Sequence, residues 1–340
     1  MEGEEIYYLK NEDWQKFLSQ LSKKFSLYAP AEGLVGPEYR IFGPENLSEI
    51  IYGGARLTQP IKFFLCPPQE EVSSTASLPD RKTIVLGVKA CDLRALSILD
   101  GIFLDPEFTD PFYQKIREDS ILISDDCTEP RESCFCTLLG DNPFPEKTFD
   151  LNLSLLDEVL LVEAGSAKGK ALLEEYNLTM QPATEEQLKL RQKKRQETIK
   201  KLEEKNRDFK FPQDARTLVE GRYDSPAWTE FAQDCVSCGA CTNICPACNC
   251  FLLAEASAKL DEKERFWDSC QYTGYARVAG GANPRSKLME RFRNRFYCKF
   301  EYKPKNFNLL SCTGCGRCIE ACQGKIDIRE VLTKVAAGKE

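Results

Sequence analysis

Two short stretches of this 340-residue chain hold the side chains best suited to chemistry. CVSCGACTNICPACNC (235–250) puts six cysteines in sixteen residues, and CTGCGRCIEAC (312–322) adds four more. Thiols at this density serve disulfides, zinc knuckles or iron–sulfur clusters, and spacing separates the three. Both stretches read Cys-x2-Cys-x2-Cys-x3-Cys, through Cys235, Cys238, Cys241 and Cys245 and then Cys312, Cys315, Cys318 and Cys322. Three thiolates two residues apart wrap one corner of a cubane in a tight turn, and the fourth points away toward a second cluster. The expected ligation is therefore crossed. Cluster 1 takes Cys235, Cys238, Cys241 and Cys322; cluster 2 takes Cys312, Cys315, Cys318 and Cys245. The alternative is a pair of four-cysteine zinc sites, but zinc knuckles use two Cys-x2-Cys pairs and not this spacing. Pro246 follows Cys245 whereas Gln323 follows Cys322, a difference at a position that is not a ligand. The 66 residues between the runs mark an expanded form of the two-cluster module.

Composition narrows the choice further. The chain has 17 cysteines and no histidine. An odd count rules out complete pairing within one chain, and the acidic N-terminus MEGEEIYYLK has no apolar export segment, so a cytoplasmic protein with reduced thiols is expected. The lack of histidine removes Ser-His and Cys-His nucleophiles, His-ligated haem, Rieske centres and Cys/His zinc fingers. No catalytic residue is expected. The net charge of -7 gives no general attraction to nucleic acid, and no apolar run is long enough to cross a bilayer.

The elements that must position these thiols form two regions. EDWQKFLSQLSKKF (12–25) has one apolar helical face, and APAEGLVGPEYRIFGP (29–44) is turn and strand material. TIVLGV (83–88), ILIS (121–124) and EVLLVE (158–163) are buried-strand candidates, and DLRALSILDGIF (92–103) is helical. Together they predict a small parallel or mixed sheet. Cys91 follows the first of these strands and Cys127 the second, with Cys134 and Cys136 close behind. Ligands collect at the carboxyl ends of strands in open α/β sheets, so neighbouring strands would bring these four thiols to a third cluster; the alternative is four ordinary buried cysteines. ATEEQLKLRQKKRQETIKKLEEKNRDFK (183–210) has ten basic and six acidic residues and reads as an exposed helix or helical linker near a domain boundary. Beyond it, 256–270 and 285–300 are candidate helices or connectors.

Other signals are weaker. VEAGSAKGKALL (162–173) is one residue short of a P-loop and has Ala171 where the magnesium-binding hydroxyl belongs, so it reads as a plain loop before a helix. There is no GxGxxG and no adjacent Cys-Cys pair. Residues 285–305 hold eight basic and two acidic residues with interleaved aromatics. Charge compensation of anionic clusters ranks ahead of partner docking, and docking ahead of nucleic-acid binding, as its role. Cys66 reads as core. Cys248 and Cys250 are placed around the clusters, and an extra metal site from Cys248, Cys250, Cys270 and Cys298 is a further reading.

At KACDLRALSILD (89–100), DDC with SCFC (125–136), CGACTNICPACNCF (238–251), WDSC (267–270), AGGANPRSKLMERFRNRFYCKFEY (279–302) and CTGCGRCIEAC, the chain resembles a known family. This is the iron–sulfur subunit shared by cytoplasmic sulfhydrogenases, as their beta subunit, and anaerobic sulfite reductases, as their A subunit. The family often has histidine at the position of Cys298. The resemblance implies a non-catalytic electron-transfer subunit between a flavin-containing NAD(P)- or ferredoxin-linked reductase subunit and a catalytic subunit of nickel–iron hydrogenase or sirohaem sulfite reductase type. It also implies counterparts of Cys91, Cys127, Cys134 and Cys136 as a third [4Fe–4S] site.

The fold class expected is α+β, with an N-terminal α/β domain over 1–215 and an expanded two-[4Fe–4S] ferredoxin-like, largely helical domain over 216–340. Flavin and haem are expected on other chains of an anaerobe's cytoplasmic complex, with no membrane and no nucleic acid among the partners. The rival is a stand-alone iron–sulfur oxidoreductase that binds a flavin or a substrate itself.

Overall fold

The computed structural model describes residues 6–338 other than 35, 75–77, 79–80, 158, 177–179, 213 and 256–261. The strands are β1 (Ile6–Lys10), β2 (Ser26–Ala31), β3 (Glu38–Phe42), β4 (Gln69–Glu71), β5 (Thr83–Val88), β6 (Ser120–Asp125), β7 (Leu151–Leu156), β8 (Val159–Ala164), β9 (Gln181–Pro182), β10 (Phe251–Glu255) and β11 (Lys263–Trp267). Eight of them form one sheet in the order β3-β2-β5-β6-β7-β8-β1-β9. Its centre, β2-β5-β6-β7, is parallel, and antiparallel strands extend both sides. The expected mixed sheet is present and larger than the sequence pattern alone suggested.

The central strands read as nearly unbroken apolar runs because both faces are covered. Ile84, Leu86, Ile121 and Ile123 face Trp14, Phe17, Leu18 and Leu21 of the helix Asn11–Lys24. Val85, Val88 and Leu122 face Leu93, Leu96, Leu99 and Phe103 of the helix Ala90–Phe103. Each such fully buried side chain contributes roughly 1.5–3 kcal/mol. At the end of β5 the register slips between Leu86 and Val88. Gly87 sits there at φ +80°, and a Cβ would lie 2.5 Å from Pro30. This bulge ends the strand just before Lys89-Ala90-Cys91.

The helix Glu185–Lys205 is not a free linker. Its Thr184 capping box fixes the start. Arg191 pairs with Glu163, Arg195 with Asp126, Lys194 with Asp157 and Lys201 with Glu129, so one charged face lies along the sheet and the loop after β6. Polar contacts replace apolar ones, which is why hydrophobic periodicity does not reveal the packed face.

The C-terminal part is mostly helical. Ala227–Ala232, Leu288–Tyr297 and Ile328–Ala337 enclose Trp228, Phe292, Phe296, Phe300, Val331 and Leu332. The stretch 256–270, read as a helix or a connector, holds a strand. Residues 256–261 lie outside the described residues, and Lys263–Trp267 is a strand paired antiparallel with both β10 and β4. Its aromatic-bearing KERFW suits a strand, and one of its two partners, β4, comes from the first half of the chain. The halves are also joined by Arg317, whose guanidinium meets the Asp92 carboxylate at 2.7 Å with both side chains buried.

Candidate iron–sulfur centres

The two cysteine runs fold as one repeated turn. Ser237 and Gly314 occupy the same place in each run and both have positive φ, 55° and 62°. Gly239 and Gly316 likewise match, at 72° and 71°, and each precedes a four-residue helix, Ala240–Asn243 or Arg317–Glu320. A glycine is required at 314 and 316 for a further reason. A Cβ on Gly314 would lie 2.4 Å from the Cys136 Cα, and one on Gly316 would lie 2.1 Å from the Ser133 carbonyl. The SCFC loop therefore sits directly against the second cysteine turn, held by the Phe135 amide on the Gly314 carbonyl at 2.7 Å.

Three hollows result, each lined by one of the expected sets. Cys235, Cys238, Cys241 and Cys322 share the first with Gln271, Phe292 and Arg295. Cys245, Cys312, Cys315 and Cys318 share the second with Phe135, Arg295 and Lys299. Cys91, Cys127, Cys134 and Cys136 share the third with Arg56, Lys89 and Arg94. β5 and β6 are parallel neighbours, so the thiols that follow them converge. Cys318 and Arg295 also line both of the first two hollows, and Cys315 lines the second and third, so the three stand in a row. Among the described residues, no three Cys, Asp or Glu side chains close tightly enough around a point to hold a single metal ion. A cubane holds its four thiolates further apart than one ion does.

The residues around the hollows fit an anionic group. Arg291, Arg295, Lys299 and Lys303 recur every fourth residue, and all four are buried. Arg295 Nε and Nη2 have no hydrogen-bond partner, and the side chain reaches both of the first two hollows. Lys299 Nζ donates to Cys245 Sγ at 3.1 Å, to Cys248 Sγ at 3.3 Å and to the Ser311 carbonyl at 3.1 Å. Burial opposes the Lys299 charge, but the neighbouring sulfurs of Cys245, Cys248 and Cys312 outweigh it and hold its pKa well above the usual lysine range. At the third hollow Arg56 Nη1 is buried and unpaired, while its Nε donates to the Cys315 carbonyl at 2.5 Å. Unpaired buried guanidinium nitrogens are costly unless something anionic completes them. The thiols tell the same story. Burial pushes Cys127, Cys136 and Cys312 up to about 12, so without metal they stay protonated. A [4Fe–4S] cluster would bind them as thiolates and supply the missing negative charge.

The sequence pattern showed a surplus of basic residues over 285–305 but not the fourfold spacing that turns four of them inward. Lys89 and Arg94 lie within the KACDLRALSILD motif, but nothing there marked them as partners of the third hollow, and Arg56 lies outside every motif. Cys66 is buried in the core, as expected. Cys248 packs against Cys245, whereas Cys250 pairs with Cys270, so the extra site from Cys248, Cys250, Cys270 and Cys298 does not assemble around one point. The strand–loop–helix at 162–173 is structural. Ser166 caps the helix Ala167–Glu175, and Gly169 packs on the Asp150 carbonyl, where a Cβ would lie at 1.9 Å.

Comparison with known proteins agrees with this geometry. Residues 234–326 match the 4Fe-4S dicluster domain. Sulfhydrogenase 2 subunit beta of Pyrococcus furiosus is 31% identical over 345 aligned residues, covering 97% of this chain and 98% of that protein. The chain belongs to the sulfhydrogenase beta-subunit family. This family member is an iron–sulfur electron-transfer subunit of an oxidoreductase complex, with a mixed α and β fold that carries its dicluster domain at the C-terminal end. Among its described residues, no helix is long and apolar enough to cross a membrane.

Proposed function

We propose that the chain relays single electrons along three [4Fe–4S] sites in a row, two crossed sites in the ferredoxin-like domain over 216–340 and a third in the α/β domain over 1–215. The observation that carries this reading is the row itself: three hollows, each lined by one set of four cysteines, with Cys318 shared by the first two and Cys315 by the last two. When bound, such clusters supply reversible one-electron storage, which no side chain of the protein provides.

The chain's own residues do the rest. Cys235, Cys238, Cys241 and Cys322 would hold cluster 1, Cys312, Cys315, Cys318 and Cys245 cluster 2, and Cys91, Cys127, Cys134 and Cys136 cluster 3. Arg295 and Lys299 offset negative charge at the first two sites, and Arg56, Lys89 and Arg94 do so at the third. Phe135, Phe292 and Ile328 exclude water. The Ile326 amide donates to Cys322 Sγ at 3.4 Å, the kind of contact that tunes a cluster's potential. The first site is nearest to solvent, with Cys238 exposed and Val236 63% exposed, which suits electron exchange with a partner there. The partners would be a flavin-containing NAD(P)- or ferredoxin-linked reductase subunit and a catalytic subunit of nickel–iron hydrogenase or sirohaem sulfite reductase type, in a cytoplasmic complex. The inward-facing basic stripe leaves little for nucleic acid.

One observation favours a second reading, in which the chain binds a flavin or a substrate itself. A cleft of about 560 Å³ lined by Arg94, Asp141, Lys147 and Asn308 reaches Cys312. Extraction of bound chromophore from anaerobically purified protein separates the two. A pure relay yields no stoichiometric flavin while iron and sulfide remain. About one flavin per chain would make the cleft an active site and overturn the relay.

A further inference from the structure

We propose that Cys250 and Cys270 form a redox-active dithiol, a thiol–disulfide exchange site for small disulfides that is separate from the three cluster hollows. The pair closes the open end of the β10–β11 hairpin. Phe251 is in register with Trp267, the Asp268 amide donates to the Cys250 carbonyl at 2.9 Å, and just beyond this pairing the two thiols are in hydrogen-bond contact. Neither thiol lines any of the three hollows, and among the described residues no third ligand closes on them tightly enough to hold a metal ion; Cys298 is a further thiol that acts on Cys270. The two also differ in the way exchange requires. Cys250 is half-buried and stands beside the partly exposed Tyr275, whereas Cys270 is 9% exposed and accepts from Gln271 Nε2 at 3.5 Å. One thiol can meet a reagent from solvent, and the other can resolve the product from behind.

The charge arrangement agrees with that division. The Cys270 thiol donates to Cys250, and this outweighs the effect of burial. The Tyr275 hydroxyl and the Lys303 ammonium add to it, so the Cys250 thiol is lowered to about 6. Cys270 is raised by the same contact. Cys250 is therefore the nucleophile, since the thiolate is the attacking form. Its sulfur attacks one sulfur of a disulfide RSSR, forms Cys250–S–SR and releases RS⁻. Cys270 gives its proton to that thiolate and attacks the Cys250 sulfur, forming the internal disulfide and releasing a second RS⁻, which takes a proton from water. The dithiol loses two electrons and two protons, and RSSR is reduced to two RSH.

The test uses the full chain with its iron intact, held under argon and treated with excess oxidised glutathione. Free thiols are then blocked in denaturant and the peptides mapped by mass. The expected product is a Cys250–Cys270 linked peptide in most chains, with iron and sulfide per chain unchanged. Cys270→Ser should accumulate glutathione on Cys250, and Cys250→Ser should leave Cys270 unmodified while folded. Failure of the linked peptide to form in the wild-type chain with iron intact would overturn the proposal, even if both variants misfold. Loss of about four irons in either variant would also overturn it, because the thiols would then be cluster ligands. A wild-type chain without iron or sulfide would count against the relay and leave the exchange result readable.

Discussion

Replacing Lys299 by methionine removes a buried ammonium that touches a ligand of the second site. Its Nζ lies 3.1 Å from Cys245 Sγ, and the side chain is 3% exposed, so solvent cannot restore the charge. At that separation and an effective dielectric of about 20, two unit charges interact by about 5 kcal/mol. An electron added to a cubane spreads over the whole cluster, so the mean distance is roughly doubled and the interaction falls to about 2.5 kcal/mol. At about 59 mV per tenfold change for a one-electron couple, this amounts to about 100 mV. Lys299→Met should therefore lower the potential of one cluster by about 100 mV and move the others much less. The assay is a potentiometric titration followed by electron paramagnetic resonance under argon, with iron content matched to the wild type. Lys299→Arg should return most of the shift. A change below about 20 mV, or one toward higher potential, would refute the claim that this lysine acts through charge.

Three other outcomes follow from the same contacts. Arg317→Met leaves the Asp92 carboxylate buried without its partner and frees the carbonyls of Leu57 and Thr58, so denaturant unfolding should show a loss of about 3–5 kcal/mol. Cys136→Ser should lower iron and sulfide by about four each while the ferredoxin-type signals stay, as read by elemental analysis and resonance spectra. Alkylation of Cys250 by limiting iodoacetamide should rise through about pH 6 and level off above it, because the thiolate reacts and is protonated below that value. A half-maximal rate near pH 8.5, the ordinary thiol value, would show that Cys270, Tyr275 and Lys303 do not act on it.

Much of the site could be read from residue types and spacing, because a cluster needs its ligands at fixed separations along a short turn. Cys322 lines the hollow of Cys235, Cys238 and Cys241, and Cys245 lines that of Cys312, Cys315 and Cys318. The strand-end position of Cys91 and Cys127 was enough to suggest their meeting once β5 and β6 proved to be neighbours. What sequence could not show depends on contacts far apart in the chain. Arg56 reaches the Cys315 carbonyl from 259 residues away. β4, three residues long, finds its partner in β11 only because both halves of the chain fold against each other. The charged helix Glu185–Lys205 hides its packed face, since ion pairs carry no apolar periodicity. Gly314 and Gly316 lie inside the second cysteine run, but their role in admitting the SCFC loop is visible only in three dimensions.

Iron and acid-labile sulfide per chain, measured on protein purified without oxygen, test the central claim most directly. Three cubanes give about twelve of each. About eight of each would make Cys91, Cys127, Cys134 and Cys136 structural and confine the relay to the C-terminal domain. Zinc without sulfide would contradict the account as a whole.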